Sequence, residues 1–237
     1  MAEQPTRIRT FNQLSAESRP KPGESIAVLG LGRFGAAVAM ELVRLGYDVL
    51  GVDRYESIIQ NYSRTLTHVV EADVTNIEAL RQLGVDEMNH VIVAVGSDIE
   101  GSILSVAALD ELDIPNIWAK AVSKQHGRIL ERVGADHIVY PEHDMGHQVA
   151  HMIGGRILDW LQLDERFALV ETGVPAELVG MTVLAARVRE RWNVTVVCVK
   201  PVGGGFTYAN ADSVLQRGDL LVIAGETEAA ETFARLA

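Results

Sequence analysis

The stretch 25–53, SIAVLGLGRFGAAVAMELVRLGYDVLGVD, leaves few folds open to this chain. A short apolar run at 26–29 is of the kind that forms a buried parallel strand. Gly30-Leu31-Gly32-Arg33-Phe34-Gly35 follows, a G-x-G-x-x-G placed where that strand should turn into a helix. Residues 36–45 carry apolar side chains at helical spacing, and Gly46 stops the helix. A second apolar strand, 49–52, ends at Asp53. In such a unit the first glycine permits the tight turn and the second lets backbone approach a phosphate. The third lets the helix pack on the strand. The helix N-terminus offers N–H groups and the positive end of its dipole to the phosphate. Asp53 stands roughly 20 residues beyond the motif, where a carboxylate accepts ribose hydroxyls. Strand, turn, helix, strand and terminal aspartate together predict a nucleotide site.

The alternation continues. Helices are expected at 55–63, 77–83, 101–112 and 124–133, and strands at 68–71, 90–95, 117–121 and 137–140. Gly84, Pro115, Gly134 and Pro141 punctuate them. This is an α/β pattern, and it specifies a Rossmann-like, doubly wound parallel sheet. Ligands of such sheets lie beyond the carboxyl ends of the strands, at the switch point. Asp53, Asp73, Gly96, Ser97 and Lys120 fall at or near such ends. Residues 144–161 read as one long helix leaving the sheet. Past Leu163 a strand at 167–172, a short helix at 184–192 and strands at 194–200 and 220–224 describe a small α+β C-terminal module with a terminal helix. The divisions expected are a flexible tail at 1–24, a nucleotide-binding domain at 25–145, a linking helix at 146–163 and the module at 164–237. A module of about 70 residues is marginal alone, so pairing with a second copy is expected.

Charge narrows the partners. A net charge of −11 argues against a general nucleic-acid or anionic-lipid surface, which needs clustered Lys and Arg. Any phosphate must therefore be met locally. Arg33, inside the glycine turn, can meet a terminal phosphate or serve a surface ion pair. Lys120, in an otherwise apolar strand, is a second candidate. Asp53 repels a ribose 2′-phosphate and so disfavours NADP, although Arg54 beside it can compensate. Asp73 either accepts the adenine amino group or caps the helix that follows. Cys198 is the one cysteine and sits in an apolar run, which reads as a buried core thiol. No run approaches the roughly 20 apolar residues of a membrane span, and no secretory segment stands near Met1. A soluble, cytoplasmic chain is the expectation.

His143, His147 and His151 recur every four residues and would share one helix face. That face is a polar seam between subunits or a transition-metal site, without the glutamate of H-E-x-x-H. Glu142 and Asp144 can ligate Mg²⁺ or Ca²⁺ if another subunit or the nucleotide adds ligands. No serine sits in a nucleophile elbow, and no histidine follows Leu163. This favours a nucleotide that is sensed over one that is turned over. A small NAD-dependent oxidoreductase or epimerase stays open as the alternative.

GLGRFG, Asp53, the segment Leu112-Asp113-Ile114-Pro115-Asn116-Ile117-Trp118-Ala119-Lys120-Ala121, and Gly134-Ala135-Asp136 with Pro141-Glu142-His143-Asp144-Met145-Gly146 resemble the Ktr/Trk potassium-uptake regulatory subunits. Those consist of an RCK N-terminal and an RCK C-terminal domain. The resemblance covers about residues 25–226 and is densest through Gly146. It implies a non-enzymatic gating protein, a homodimer assembling into a homo-octameric ring on the cytosolic face of a membrane potassium translocator. ATP or ADP, in some members NAD or NADH, would shift the ring. The nucleotide-site residues expected are Gly30, Leu31, Gly32, Arg33, Phe34, Gly35, Asp53, Arg54, Asp73, Val74, Gly96, Ser97 and Lys120. Glu142 matches the position where relatives bind an activating divalent cation between subunits. Leu178-Val179-Gly180-Met181-Thr182 and the run 194–199 resemble the RCK C-terminal domain. Some relatives bind cyclic di-AMP there, near a V-R-A-K-Y-G segment. Here Arg189 is kept, but Glu190 adds negative charge and Asn193 replaces a glycine, which speaks against cyclic di-AMP.

Overall fold

A computed structural model describes residues 20–21, 23–153, 157–164 and 166–237. Most of the tail expected at 1–24 lies outside the described residues. The chain divides into two compact units between Glu142 and His143.

The first unit alternates β1 (Ser25–Leu29), α1 (Arg33–Arg44), β2 (Asp48–Asp53), α2 (Glu56–Tyr62), β3 (His68–Glu71), α3 (Ile77–Gln82), β4 (His90–Val93), α4 (Ile99–Glu111), β5 (Asn116–Lys120), α5 (Lys124–Arg132) and β6 (His137–Val139). Its six strands lie in the order β3-β2-β1-β4-β5-β6. Every pairing is parallel. This is the expected doubly wound sheet, with its switch point between β1 and β4. β1 is covered on both faces because successive side chains point opposite ways. Ala27 and Leu29 join one apolar cluster, and Val28 joins the other. That burial explains why these strands read as unbroken apolar runs. α1 turns Gly35, Ala36 and Ala39 inward, so only small side chains separate it from the sheet. It closes on Gly46 at φ 89°, with Gly46 N–H bonded to Val43 O and Tyr47 N–H to Leu42 O. This is a Schellman stop, and it needs the left-handed residue that glycine supplies.

The second unit takes up α6 (Pro141–Ile153), whose first two residues belong to the first unit. It continues with β7 (Ile157–Gln162), β8 (Phe167–Gly173), α7 (Val183–Ala186), α8 (Val188–Trp192), β9 (Val194–Lys200), β10 (Thr207–Tyr208), β11 (Leu220–Glu226) and α9 (Thr227–Ala234). The sheet runs β10-β9-β11-β8-β7, antiparallel throughout. α9 buries Ala230, Phe233 and Ala234 in the same cluster as Val170, Leu221 and Ile223. Trp192 meets the Phe233 ring edge-on at 5.4 Å. The small α+β module is thus present.

Three expectations need correction. Residues 144–161 are not one helix: α6 ends at Ile153, and β7 begins at Ile157. Gly154 and Gly155 stand in the sequence at that junction, where glycine weakens helix propagation. The short helix expected at 184–192 is two, because Arg187 is left-handed at φ 47°. Cys198 is half-buried and not a core thiol. Among the described residues no helix is long and apolar enough to cross a membrane.

Candidate nucleotide-binding site

The chain leaves β1 at Leu29 and turns at Gly30, whose φ of 93° suits glycine. Gly35 is needed for space: a Cβ there would sit 1.9 Å from the Gly30 carbonyl oxygen and 2.8 Å from Ala94 Cβ. Gly32 is the opposite case. It is the N-cap of α1, and a Cβ on it would meet no protein atom within 4 Å. α1 carries no side-chain cap and no acidic residue in its first turn. α3, α4 and α5 are capped by Asn76, Asp98 and Ser123. The leading N–H groups of α1 are therefore left for a ligand.

Asp53, at the carboxyl end of β2, is 8% exposed. Its Oδ2 accepts the Leu31 N–H at 2.8 Å, and its Oδ1 accepts the Tyr55 N–H at 3.1 Å. Each oxygen keeps a second lone pair with which to accept a hydroxyl. Leu31 thus clips the glycine turn to β2 through its backbone while its side chain is buried.

The turn and the carboxyl ends of β2, β3, β4 and β5 enclose a cavity of about 290 Å³. Gly30, Gly32, Arg33, Phe34, Asp53, Arg54, Asp73, Val74, Gly96, Ser97, Lys120 and Glu142 all line it. Of the residues expected from sequence, Leu31 and Gly35 stand behind the lining and hold its shape. Tyr55, Ile58, Thr75, Ala94, Val95, Asp98 and Gly101 line it as well, and sequence reasoning missed them. Only Asp98 left a signal, as an aspartate three residues ahead of the helix expected at 101–112.

Lys120 and Arg54 are each paired with a carboxylate of the lining. Lys120 is 11% exposed in its side chain, and its Nζ donates to Glu142 Oε1 at 2.6 Å and lies 5.8 Å from the Phe34 ring centroid. It passes beside Gly96, where a Cβ would come within 2.9 Å of Nζ. The bond from Lys120 holds the Glu142 carboxyl below its ordinary range, and the Arg33 charge adds to this. Among the described residues no three His, Cys, Asp or Glu side chains converge as a metal site, so a cation at Glu142 needs ligands from elsewhere. Around the end of β2 the lining is acidic. Asp73 accepts the Thr75 N–H at 2.9 Å and its hydroxyl at 2.7 Å, which hold its carboxyl below the ordinary range. The following helix is capped by Asn76 and not by Asp73. Arg54 pairs with Asp98 Oδ2 at 3.2 Å, and its guanidinium carbon lies 5.3 Å from the Tyr55 ring centroid.

The three histidines all lie on α6, and among the described residues they form no metal group. The His143 and His147 rings lie 4.4 Å apart on α6, while His151 stacks on Trp160 at 4.1 Å. His151 Nδ1 is 3.6 Å from Glu231 Oε1.

Residues 26–141 match the TrkA-N domain family. Ktr system potassium uptake protein A of Bacillus subtilis (strain 168) is 35% identical over 211 residues, covering 89% of this chain and 95% of that one. The GsuK RCK domain structure covers all of this chain at a TM-score of 0.64 and 16% identity, a likeness of fold, and this chain spans 50% of its length. The structure of the GsuK channel bound to NAD covers 92% of this chain and 39% of that one, at 25% identity and a TM-score of 0.50. With such identity over nearly the whole of both sequences, this chain belongs to the family of Ktr system potassium uptake protein A.

Proposed function

We propose that the chain is a nucleotide-sensing regulatory subunit of a potassium uptake system. The observation that carries this is the charge layout of one cavity. An uncapped helix N-terminus, Arg33 and Lys120 line the same space as the ribose-accepting Asp53. Membership of the Ktr family supports the link to potassium. The NAD named for the GsuK channel supports a nucleotide ligand. In this reading Gly30, Gly32, Arg33, Phe34 and Lys120 take the phosphates, Asp53 takes the ribose, and Asp73 with Val74 takes the adenine. ATP and ADP are the ligands in this reading, with NAD or NADH as further candidates. A nucleotide shifts a gate only by its differential affinity for the two states. Arg33 and Lys120 supply that difference, because a triphosphate offers one more charged group than a diphosphate.

The physiological unit is a homodimer assembled into an octameric ring, docked from the cytoplasm on a membrane potassium translocator. The first unit, through Glu142, serves as the sensing domain, and the second, from His143, as the pairing module. Mg²⁺ or Ca²⁺ at Glu142 would compete with Lys120 for the carboxylate and would draw its remaining ligands from a second copy or from phosphate. Glu190 and Asn193 speak against cyclic di-AMP at the C-terminal module. The experiment is co-purification with its translocator, followed by mass measurement and a turnover assay at the reduced-nicotinamide band. A ring on the translocator without turnover supports the reading. Nicotinamide turnover by a monomer or dimer refutes it.

A further inference from the structure

We infer that Asp98 sets nucleotide specificity, by occupying Arg54 so that the ribose end of the cavity rejects a 2′-phosphate. This rests on the nucleotide reading above. Besides Glu142 at Lys120, three carboxylates, Asp53, Asp73 and Asp98, line the cavity with Arg54. Asp98 pairs with Arg54 directly, and the guanidinium charge has only a minor influence on Asp73. Arg54 is the side chain that sequence alone would credit with accepting a 2′-phosphate. Here it is paired with Asp98 at 3.2 Å, its side chain 53% exposed.

The pairing is built into α4. Asp98 is the N-cap of that helix, and its Oδ1 accepts the Gly101 N–H at 2.9 Å while Oδ2 takes the guanidinium. A Cβ on Gly101 would lie 2.8 Å from Oδ2, so a glycine at this position leaves the carboxylate its room. Asp98 therefore cannot swing away from Arg54 without uncapping α4. The ion pair crosses from the carboxyl end of β2 to the start of α4, over the strand order β2-β1-β4. A phosphate on the ribose 2′-oxygen at Asp53 would face two fixed carboxylates and a guanidinium whose charge is already offset. The 5′-phosphates meet the opposite field at the α1 N-terminus and Arg33, with Lys120 shared between them and Glu142. The site thus takes adenine nucleotides phosphorylated on the 5′ side alone.

The test is displacement of labelled ADP from the full chain by AMP and by adenosine 2′,5′-bisphosphate, which differ only in the 2′-phosphate. The wild-type chain should bind AMP more tightly. Asp98→Asn keeps a good helix cap and removes the charge, so it should shift the ratio of the two constants toward the bisphosphate by about fivefold. In an Arg54→Gln background the same substitution should leave the ratio unmoved, and melting curves verify that each variant is folded. A ratio unchanged by Asp98→Asn overturns the inference, as does an equal shift without Arg54. A wild-type chain that prefers the bisphosphate overturns it too. A chain that holds no labelled ADP overturns the nucleotide reading and this inference together.

Discussion

Gly32 and Gly35 stand three residues apart in one motif, and the structure assigns them opposite costs. In Gly35→Ala the new Cβ starts 1.9 Å from the Gly30 oxygen and 2.8 Å from Ala94 Cβ. Ordinary contact requires α1 to retreat by roughly 1 Å or more. Overpacking of this kind costs about 1–3 kcal/mol, which lowers Tm by about 2–12 °C in a chain of this size. The leading N–H groups of α1 move with the helix. Hydrogen bonds to charged groups are worth about 1.5–3 kcal/mol each, so ADP affinity falls about tenfold or more. Gly32→Ser meets no clash, and its φ of −65° and ψ of −173° are open to any residue. Serine caps a helix better than glycine by roughly a few tenths of a kcal/mol, so Tm should hold or rise slightly. The new hydroxyl takes the N–H groups meant for phosphate, and ADP binding falls about tenfold nonetheless. Thermal melting beside titration calorimetry reads both quantities. A Gly32→Ser chain that melts as low as Gly35→Ala refutes the assignment, and so does one that binds ADP like the wild type.

Arg33→Ala should narrow the gap between ATP and ADP affinity, whereas equal losses for both ligands would remove Arg33 from the terminal phosphate. Asp53→Ala leaves the Leu31 and Tyr55 N–H groups without their carboxylate. It should cost about 1–3 kcal/mol of stability and weaken all adenine nucleotides; unchanged calorimetry would place the ribose elsewhere. Burial holds His90 and His126 below the ordinary histidine range. The unfolded chain thus gains protons before the folded one as pH drops through about 6.5, so stability is whole above that pH and declines below it. Melting temperature should fall from about pH 7.5 to 5.5, less steeply in His126→Gln, and a flat wild-type profile would contradict this.

The first unit was legible because each strand ends on a residue with a reason to be there. The glycine turn, Asp53, Asp73, Gly96-Ser97 and Lys120 marked the carboxyl edge of the sheet, and the structure lines one cavity with them. What escaped depends on contacts distant in sequence. The ion pairs Arg54–Asp98 and Lys120–Glu142 join elements that no local pattern connects. β7 was misread for a different reason. A register shift between Ile157 and Asp159 inserts an extra residue, so buried Ile157 and Trp160 fall three apart and imitate helical spacing. Cys198 shows the limit of reading burial from composition: it shares a strand with buried Val196 and Val199 yet is itself half-buried.

The central claim is that this cavity senses which adenine nucleotide occupies it. Calorimetric titration of the wild-type chain with ATP and with ADP tests that most directly. Saturable binding of both, one nucleotide per chain and with distinct affinities, is the predicted result. Heats that show no binding of either, or identical isotherms for the two, would contradict it.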